Sequence, residues 1–239
     1  MKITCNRFAL TDAVNIVQKA VAVRSTLSVL EGILLTVKDG KLILTGNDLE
    51  LGIECVIAAD IVTEGKIVVN SNLFGNTVRK LTADTVLIEM QSNNVIYIKS
   101  GNSEIKLTGI NAEEFPEIPK FDTEYDISLT QKEIKSLIRH TIFAVGTSEA
   151  KLILTGCLLE ASGNNVNMVA IDGFRLALKK ITTEAESVSG YLGDVGIVIP
   201  SKALREINNI SSEKDEKVII RCSSKNIKFE LDNIVLTSR

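Results

Sequence analysis

Along the chain, stretches in which apolar and polar residues alternate give way four times to stretches in which apolar residues return every three or four positions. Alternation places successive side chains on opposite faces of a strand, whereas the longer spacing gathers them on one stripe of a helix. The first half accordingly reads as a strand over 2–6, a helix over 11–21 and strands over 31–38, 41–46 and 50–58. It continues with a strand over 66–70, a helix over 72–81 and strands over 85–91, 94–99 and 103–110. The expected helical stripes are Val14, Val17 and Val21, then Phe74, Val78 and Leu81, then Ile134, Leu137 and Ile138, and finally Leu204 and Ile207. Lys38-Asp39-Gly40, Ser92-Asn93-Asn94 and Gly163-Asn164-Asn165 are turn signals between strands. Thr11, Ser71, Thr130 and Ser201 are the N-cap candidates, and Thr130 with Glu133 has capping-box spacing.

The same order of elements occurs twice. Phe8-Ala9-Leu10-Thr11 is matched to Ile127-Ser128-Leu129-Thr130, and Gly32-Ile33-Leu34-Leu35 to Gly156-Cys157-Leu158-Leu159. Asn47-Asp48 recurs at Ile171-Asp172, Gly65–Ser71 at Gly196–Ser201, and Val86–Met90 at Val218–Cys222. A period this long signals a duplicated domain rather than a short solenoid repeat. Prolines cluster in Phe115-Pro116-Glu117-Ile118-Pro119, so domains over 1–121 and 122–239 are expected. Each holds two β-α-β-β-β units, an α+β class in which meandering strands form antiparallel sheets and each unit's helix covers a sheet face.

With 239 residues and 45% apolar content, the chain can fill two cores. The opening Met1-Lys2-Ile3-Thr4 does not read as a leader, and no apolar run approaches the roughly 20 residues of a membrane span, so a cytoplasmic location is expected. Cys5, Cys55, Cys157 and Cys222 lie far apart in apolar stretches, which suits small buried residues better than a zinc or redox site. No cofactor is expected. The net charge of −3 speaks against nucleic acid until its distribution is considered. The four helical spans carry Lys19, Arg79, Lys80, Lys132, Lys135, Arg139, Lys202 and Arg205 against Asp12, Glu133 and Glu206. Eight against three is +5, which leaves −8 for the rest of the chain. A charged face is ordinary on an amphipathic helix, but this bias also suits attraction to a phosphate backbone. Those faces lack aromatic residues for stacking on single strands, and lack an Arg-rich recognition helix with Asn or Gln partners for reading bases. The remaining reading is weak, sequence-independent contact with duplex phosphate.

Catalytic patterns are not found. His140, the one histidine, stands beside Arg139 with no carboxylate near it in sequence, a poor general base. Asp48 and Asp172 invite a two-metal nuclease reading, but they occupy equivalent places, so one turn role explains both. No phosphate loop, nucleophile elbow or zinc-protease motif occurs, and an enzyme is not expected.

Leu44-Thr45-Gly46-Asn47-Asp48-Leu49-Glu50, Asp172-Gly173-Phe174-Arg175-Leu176-Ala177, Arg24-Ser25-Thr26-Leu27 with Leu30, and Phe115-Pro116 are the most specific stretches of the chain. Through them the whole chain resembles the bacterial β sliding clamp, the processivity subunit of DNA polymerase III. Ser28 stands where the family often has Pro, and Ile171 where it commonly has Thr or Ser. The resemblance implies a ring around duplex DNA, lined by helices and walled by sheets. It implies DNA contacts at Arg24, Lys151 and Lys202, with Arg79, Lys80, Lys135 and Arg139 toward the channel. It also implies a pocket for linear motifs of polymerase, clamp loader and repair proteins at Leu154, Ile171, Gly173, Phe174, Arg175 and Leu176. For Leu154 and Leu176, plain core packing is an equal reading of the sequence.

The family has three such domains per subunit and closes its ring as a homodimer. Two domains are legible here, so a fragment without the third is expected, monomeric or weakly associated, with the strand carrying Ile105 and Leu107 left as an open subunit edge. Three alternatives stand beside this reading. A two-domain clamp closing as a trimer would show a native mass of about 78 kDa, three times 26.0 kDa. A metal-dependent nuclease would lose cleavage in Asp48→Ala. A pure protein-interaction module would tolerate charge reversal on the helices.

Overall fold

The first strand, β1 (Lys2–Asn6), becomes the first helix, α1 (Arg7–Val17), at a single carboxamide: Asn6 Oδ1 accepts from the N–H groups of Phe8 and Ala9 at 2.9 and 3.1 Å. The cap satisfies two of the donors that a helix start leaves open. The structure, a computed structural model, describes residues 1–183, 188–189, 196–223 and 225–239. It divides into Met1–Ile118 and Pro119–Arg239, so the division falls after Ile118 rather than after Phe121.

In the first unit, α1 is followed by β2 (Gly32–Lys38), β3 (Lys41–Asn47) and β4 (Leu51–Thr63). Then come β5 (Gly65–Asn70), α2 (Ser71–Lys80), β6 (Thr85–Met90), β7 (Val95–Ser100) and β8 (Ser103–Ile110). All eight strands are antiparallel neighbours in one closed circuit. β4 runs past the expected end near residue 58 because it serves two partners. Gly52–Ala58 pairs with β3, and Ala59–Thr63 turns onto β1. The circuit is weakest between β5 and β8, which meet only at Val68–Ile110 and Val69–Gly109. Among the described residues, the outer side of Ser103–Thr108 therefore pairs with no strand of its unit.

The second unit contains β9 (Tyr125–Thr130), α3 (Gln131–Arg139), β10 (Gly156–Ser162), β11 (Asn165–Ile171) and β12 (Leu176–Thr182). It continues with β13 (Val188–Ser189), β14 (Ile197–Pro200), α4 (Ser201–Ile210), β15 (Lys217–Cys222), β16 (Ile227–Leu231) and β17 (Ile234–Ser238). Its described strands form two antiparallel sheets, β13-β9-β15-β16-β17 and β12-β11-β10-β14. The β-α-β-β-β order thus occurs four times, with one helix to each set of strands.

The apolar stripes fill the interior. Leu10, Ala13, Val14 and Val17 of α1 are buried, as are Phe74 and Val78 of α2, Ile134, Leu137 and Ile138 of α3, and Leu204 and Ile207 of α4. Phe74 and Phe229 are fully enclosed, and burying a side chain of that size contributes about 2–3 kcal/mol. Val21 falls beyond the end of α1 and is only half-buried.

Three helix starts differ from the expected caps. Thr11 lies inside α1, where its hydroxyl donates to the Arg7 carbonyl at 2.8 Å. Ser71 is the first residue of α2, capped by Asn70, whose Oδ1 accepts from Leu73 N–H at 3.0 Å. Ser201 opens α4 after Pro200, with no side-chain cap. Thr130 does cap α3: Glu133 N–H donates to Thr130 Oγ1 at 3.2 Å and Thr130 N–H to Glu133 Oε2 at 2.8 Å. These starts shift the internal register, because Asn6, not Thr11, is the counterpart of Thr130. The next residues agree, since Arg7 N–H donates to the Asp84 carbonyl and Gln131 N–H to the Glu216 carbonyl, each at 2.8 Å.

Candidate nucleic-acid interface and peptide surface

Within each unit the two helices lie side by side, α1 with α2 and α3 with α4. Their charges are Arg7, Arg79, Lys80, Lys132, Lys135, Arg139, Lys202 and Arg205 against Asp12, Glu133 and Glu206. The surplus on the helices as they fold is again +5; Arg7 enters the count, and Lys19 falls in the 3-10 turn that follows α1.

The candidate phosphate contacts are held in different ways. Arg79, in the last turn of α2, spans the α1–α2 seam. Its Nη1 donates to Asn15 Oδ1 at 2.8 Å and Gln18 Oε1 at 2.9 Å, and its Nη2 to Asn76 Oδ1 at 3.1 Å. These acceptors are neutral carboxamides, so the guanidinium is fixed in direction while its charge stays whole. Gln18 in turn donates to the Ser71 carbonyl at 2.8 Å. A β-carbon added at Gly75 would come within 2.5 Å of Gln18 Nε2, so a side chain there crowds this contact. Lys80 beside it is exposed, and Arg24 is exposed on the turn leading to β2.

In the second unit, Arg139 Nη1 meets Glu213 Oε1 at 2.8 Å, and Lys135 Nζ lies 3.6 Å from the same oxygen. Lys135 is largely buried and also donates to the Ser211 carbonyl at 2.7 Å. Through these contacts the ammonium ties α3 to the segment after α4. Lys151 is exposed on an irregular 3-10 stretch, and Lys202 is exposed in the first turn of α4. Glu213 could not be found from the sequence, since 74 residues separate it from Arg139.

Ile171, Gly173, Phe174, Arg175 and Leu176 sit on the β11–β12 turn, and Leu154 lies in the 3-10 stretch before β10. Asp172 Oδ1 accepts from Phe174 N–H and Arg175 N–H at 2.9 and 2.8 Å, and its Oδ2 accepts from the Arg175 guanidinium at 2.7 Å. Led by the backbone N–H of Arg175, these bonds hold the Asp172 carboxyl down from 3.8 to about 2. Gly173 has φ +93, where a side chain would be strained. The turn holds Phe174 99% exposed between exposed Ile171 and Leu176, and Leu154 is half-buried. Leu152 and Ile153 are also exposed, and nothing in the sequence singled them out. Asp48 builds the matching turn, accepting from Glu50 N–H and Leu51 N–H at 3.1 and 2.8 Å.

His140 Nδ1 contacts the Ser136 carbonyl at 2.7 Å. Burial pushes the thiols of Cys5 and Cys222 up to about 12 and that of Cys55 to about 11, far from a reactive thiolate.

The duplicated α+β domains with paired basic helices define the class: antiparallel-sheet modules of the DNA-clamp fold. Residues 1–119 match the profile described as DNA polymerase III beta subunit, N-terminal domain, and residues 128–239 that of the central domain. The chain belongs to the DNA polymerase III beta subunit family. It is 34% identical over 247 residues to the "Beta sliding clamp" of Bacillus subtilis (strain 168), covering 100% of this chain and 64% of that relative. The crystal structure of the Bacillus subtilis clamp superposes with a TM-score of 0.93 at 32% identity, over 100% of this chain and 64% of that one. A Pseudomonas aeruginosa clamp bound to griselimycin gives 0.92 at 27% identity, with the same coverage. The chain thus spans about 64% of the length of the curated relatives it matches. No helix among the described residues is long and apolar enough to cross a membrane.

Proposed function

We propose that the chain is part of a DNA sliding clamp, a processivity factor that encircles duplex DNA and tethers DNA polymerase III and other clamp-binding proteins in the cytoplasm, with no catalysis of its own. One observation carries this reading: a chain of net charge −3 concentrates a surplus of +5 on four helices. That distribution suits phosphate attraction without base reading. On this reading Arg24, Arg79, Lys80, Lys135, Arg139, Lys151 and Lys202 face the duplex, with Lys135 and Arg139 sharing Glu213. Leu154, Ile171, Gly173, Phe174, Arg175 and Leu176 receive an apolar anchor of a partner peptide. Ile105 and Leu107, half-buried on the open stretch of β8, join a neighbouring subunit by strand addition. Domains meeting at Ile118–Pro119 are the building blocks of the ring.

The test is topological. Loaded onto nicked circular DNA by its clamp loader as part of the complete clamp, the protein should stay on the circle and leave when the circle is linearised. Equal retention on both forms would show ordinary adhesion and remove the encircling role.

A further inference from the structure

The two units can be overlaid residue by residue through their hydrogen bonds. Ala22 N–H donates to the Leu30 carbonyl as Gly146 N–H does to that of Leu154, and Asp48 N–H to Leu51 as Asp172 N–H to Arg175. Strand register agrees, since Asn47 faces Gly52 as Ile171 faces Leu176, and Gly32 faces Asn70 as Gly156 faces Pro200. The surface proposed above for peptides in the second unit therefore has a defined counterpart in the first.

That counterpart is covered. Val29 is 3% exposed where Ile153 is 69%, and Gly52 is buried where Leu176 is 64% exposed. Leu30, Asn47, Leu51 and Val68 are buried, whereas Leu154 and Val198 are half-buried and Ile171 and Arg175 are exposed. The cover is an extended segment of the chain itself. Phe115 packs into Val29, Leu30 and Val68, with Ala22, Leu34 and Ile110 around them. Asn47 Nδ2 donates to the Pro116 carbonyl at 3.2 Å. Ile118 closes over Gly52, where an added β-carbon would come within 2.7 Å of Ile118 Cδ1.

We propose that the first unit carries a second peptide-accepting surface, occupied in cis by Phe115–Ile118. It fits an extended peptide with an aromatic residue and an aliphatic residue three positions further on. The surface rests on the peptide reading of the second unit only for its analogy, because its own occupant is visible. Tethering supplies that occupant at an effective concentration of about millimolar, so partners in trans are excluded until the segment is displaced.

The probe is a labelled peptide, Ala-Glu-Glu-Phe-Pro-Glu-Ile-Pro, the sequence of residues 112–119, followed by fluorescence polarisation. Every chain tested also carries Leu176→Glu, so binding at the second unit cannot contribute, and its failure would be seen separately in chains without that change. Phe115→Ala with Ile118→Ala should bind the peptide at least about tenfold more tightly than chains with the segment intact. Should the double variant unfold by circular dichroism, Ile118→Ala alone takes its place. Losing the contact over Gly52 should quicken hydrogen exchange at 115–118 and admit the peptide, while leaving the accepting surface itself unaltered. Equal binding with and without the cis segment, or no binding to a folded, opened variant, would overturn the second site.

Discussion

Glu213 Oε1 bridges two cations of α3, 2.8 Å from the Arg139 guanidinium and 3.6 Å from the Lys135 ammonium. An acid from outside the helices thus tempers the basic face at α3. The pair with Arg139 is exposed and worth less than about 1 kcal/mol to folding. Its larger effect is on the field offered to phosphate. Glu213→Gln should leave the urea midpoint nearly unchanged and tighten duplex binding by about two- to fivefold at low salt, with the gain fading as salt rises. Titrations of fluorescent duplex at several salt concentrations check this, and weaker binding by the variant would show that Glu213 instead positions Arg139 for contact.

The Asp172 turn should resist acid. Its carboxyl is held near 2, below an ordinary 3.8, first by the N–H of Arg175, then by that of Phe174 and the Arg175 side chain. The folded value is the lower one, so ionised Asp172 contributes stability above pH 3.8, and the contribution declines as pH falls toward 2. A carboxylate titration by NMR should show Asp172 still ionised at pH 3. In Arg175→Ala the midpoint should move upward but remain below 3.8, because two backbone donors stay in place. A midpoint at the ordinary value in the parent would mean that the turn is open in solution.

Helix α1 offers a direct comparison of two polar side chains. Asn6 satisfies two N–H groups at the helix start, whereas Thr11 only returns a bond to the Arg7 carbonyl. Asn6→Ala should cost about 1 kcal/mol and Thr11→Ala less than about half of that. Urea unfolding of the two variants decides between these positions, with equal losses pointing to a helix that starts later.

The same helix marks how far the sequence could be read. Periodicity located all four helices and most strands, because a buried stripe must recur with the period of its element. It placed the start of α1 late, since Phe8 is exposed on the helix and breaks the stripe at its first turn. The end of β4 was missed for a different reason: Ala59–Thr63 continues as a strand only because β1 lies beside it, a partner more than fifty residues away in sequence. On the candidate site, the basic residues were legible one by one, but their environments were not. Nothing local in the chain distinguishes Lys135, tied down by Ser211 and Glu213, from exposed Arg139. Exposed Leu152 and Ile153 were likewise not legible as surface, because hydrophobicity alone does not say which apolar residues stay uncovered.

Arg79 separates charge from geometry. Its guanidinium reaches three carboxamide oxygens, on α1, on the 3-10 turn after it and on α2, a fork that an ammonium cannot reproduce. Arg79→Lys keeps the charge but loosens the α1–α2 seam, whereas Arg79→Ala loses both. The two variants should therefore lose similar stability, about 0.5–1 kcal/mol, since each forfeits the exposed hydrogen bonds to Asn15 and Gln18. Their DNA binding should differ. Lysine should preserve most of the salt dependence, because long-range attraction counts charges, while alanine should flatten it by up to about one unit in the logarithmic slope. If lysine instead binds as poorly as alanine, the fixed direction of the guanidinium matters more than its charge, and Arg79 makes a directed phosphate contact rather than contributing to a diffuse field.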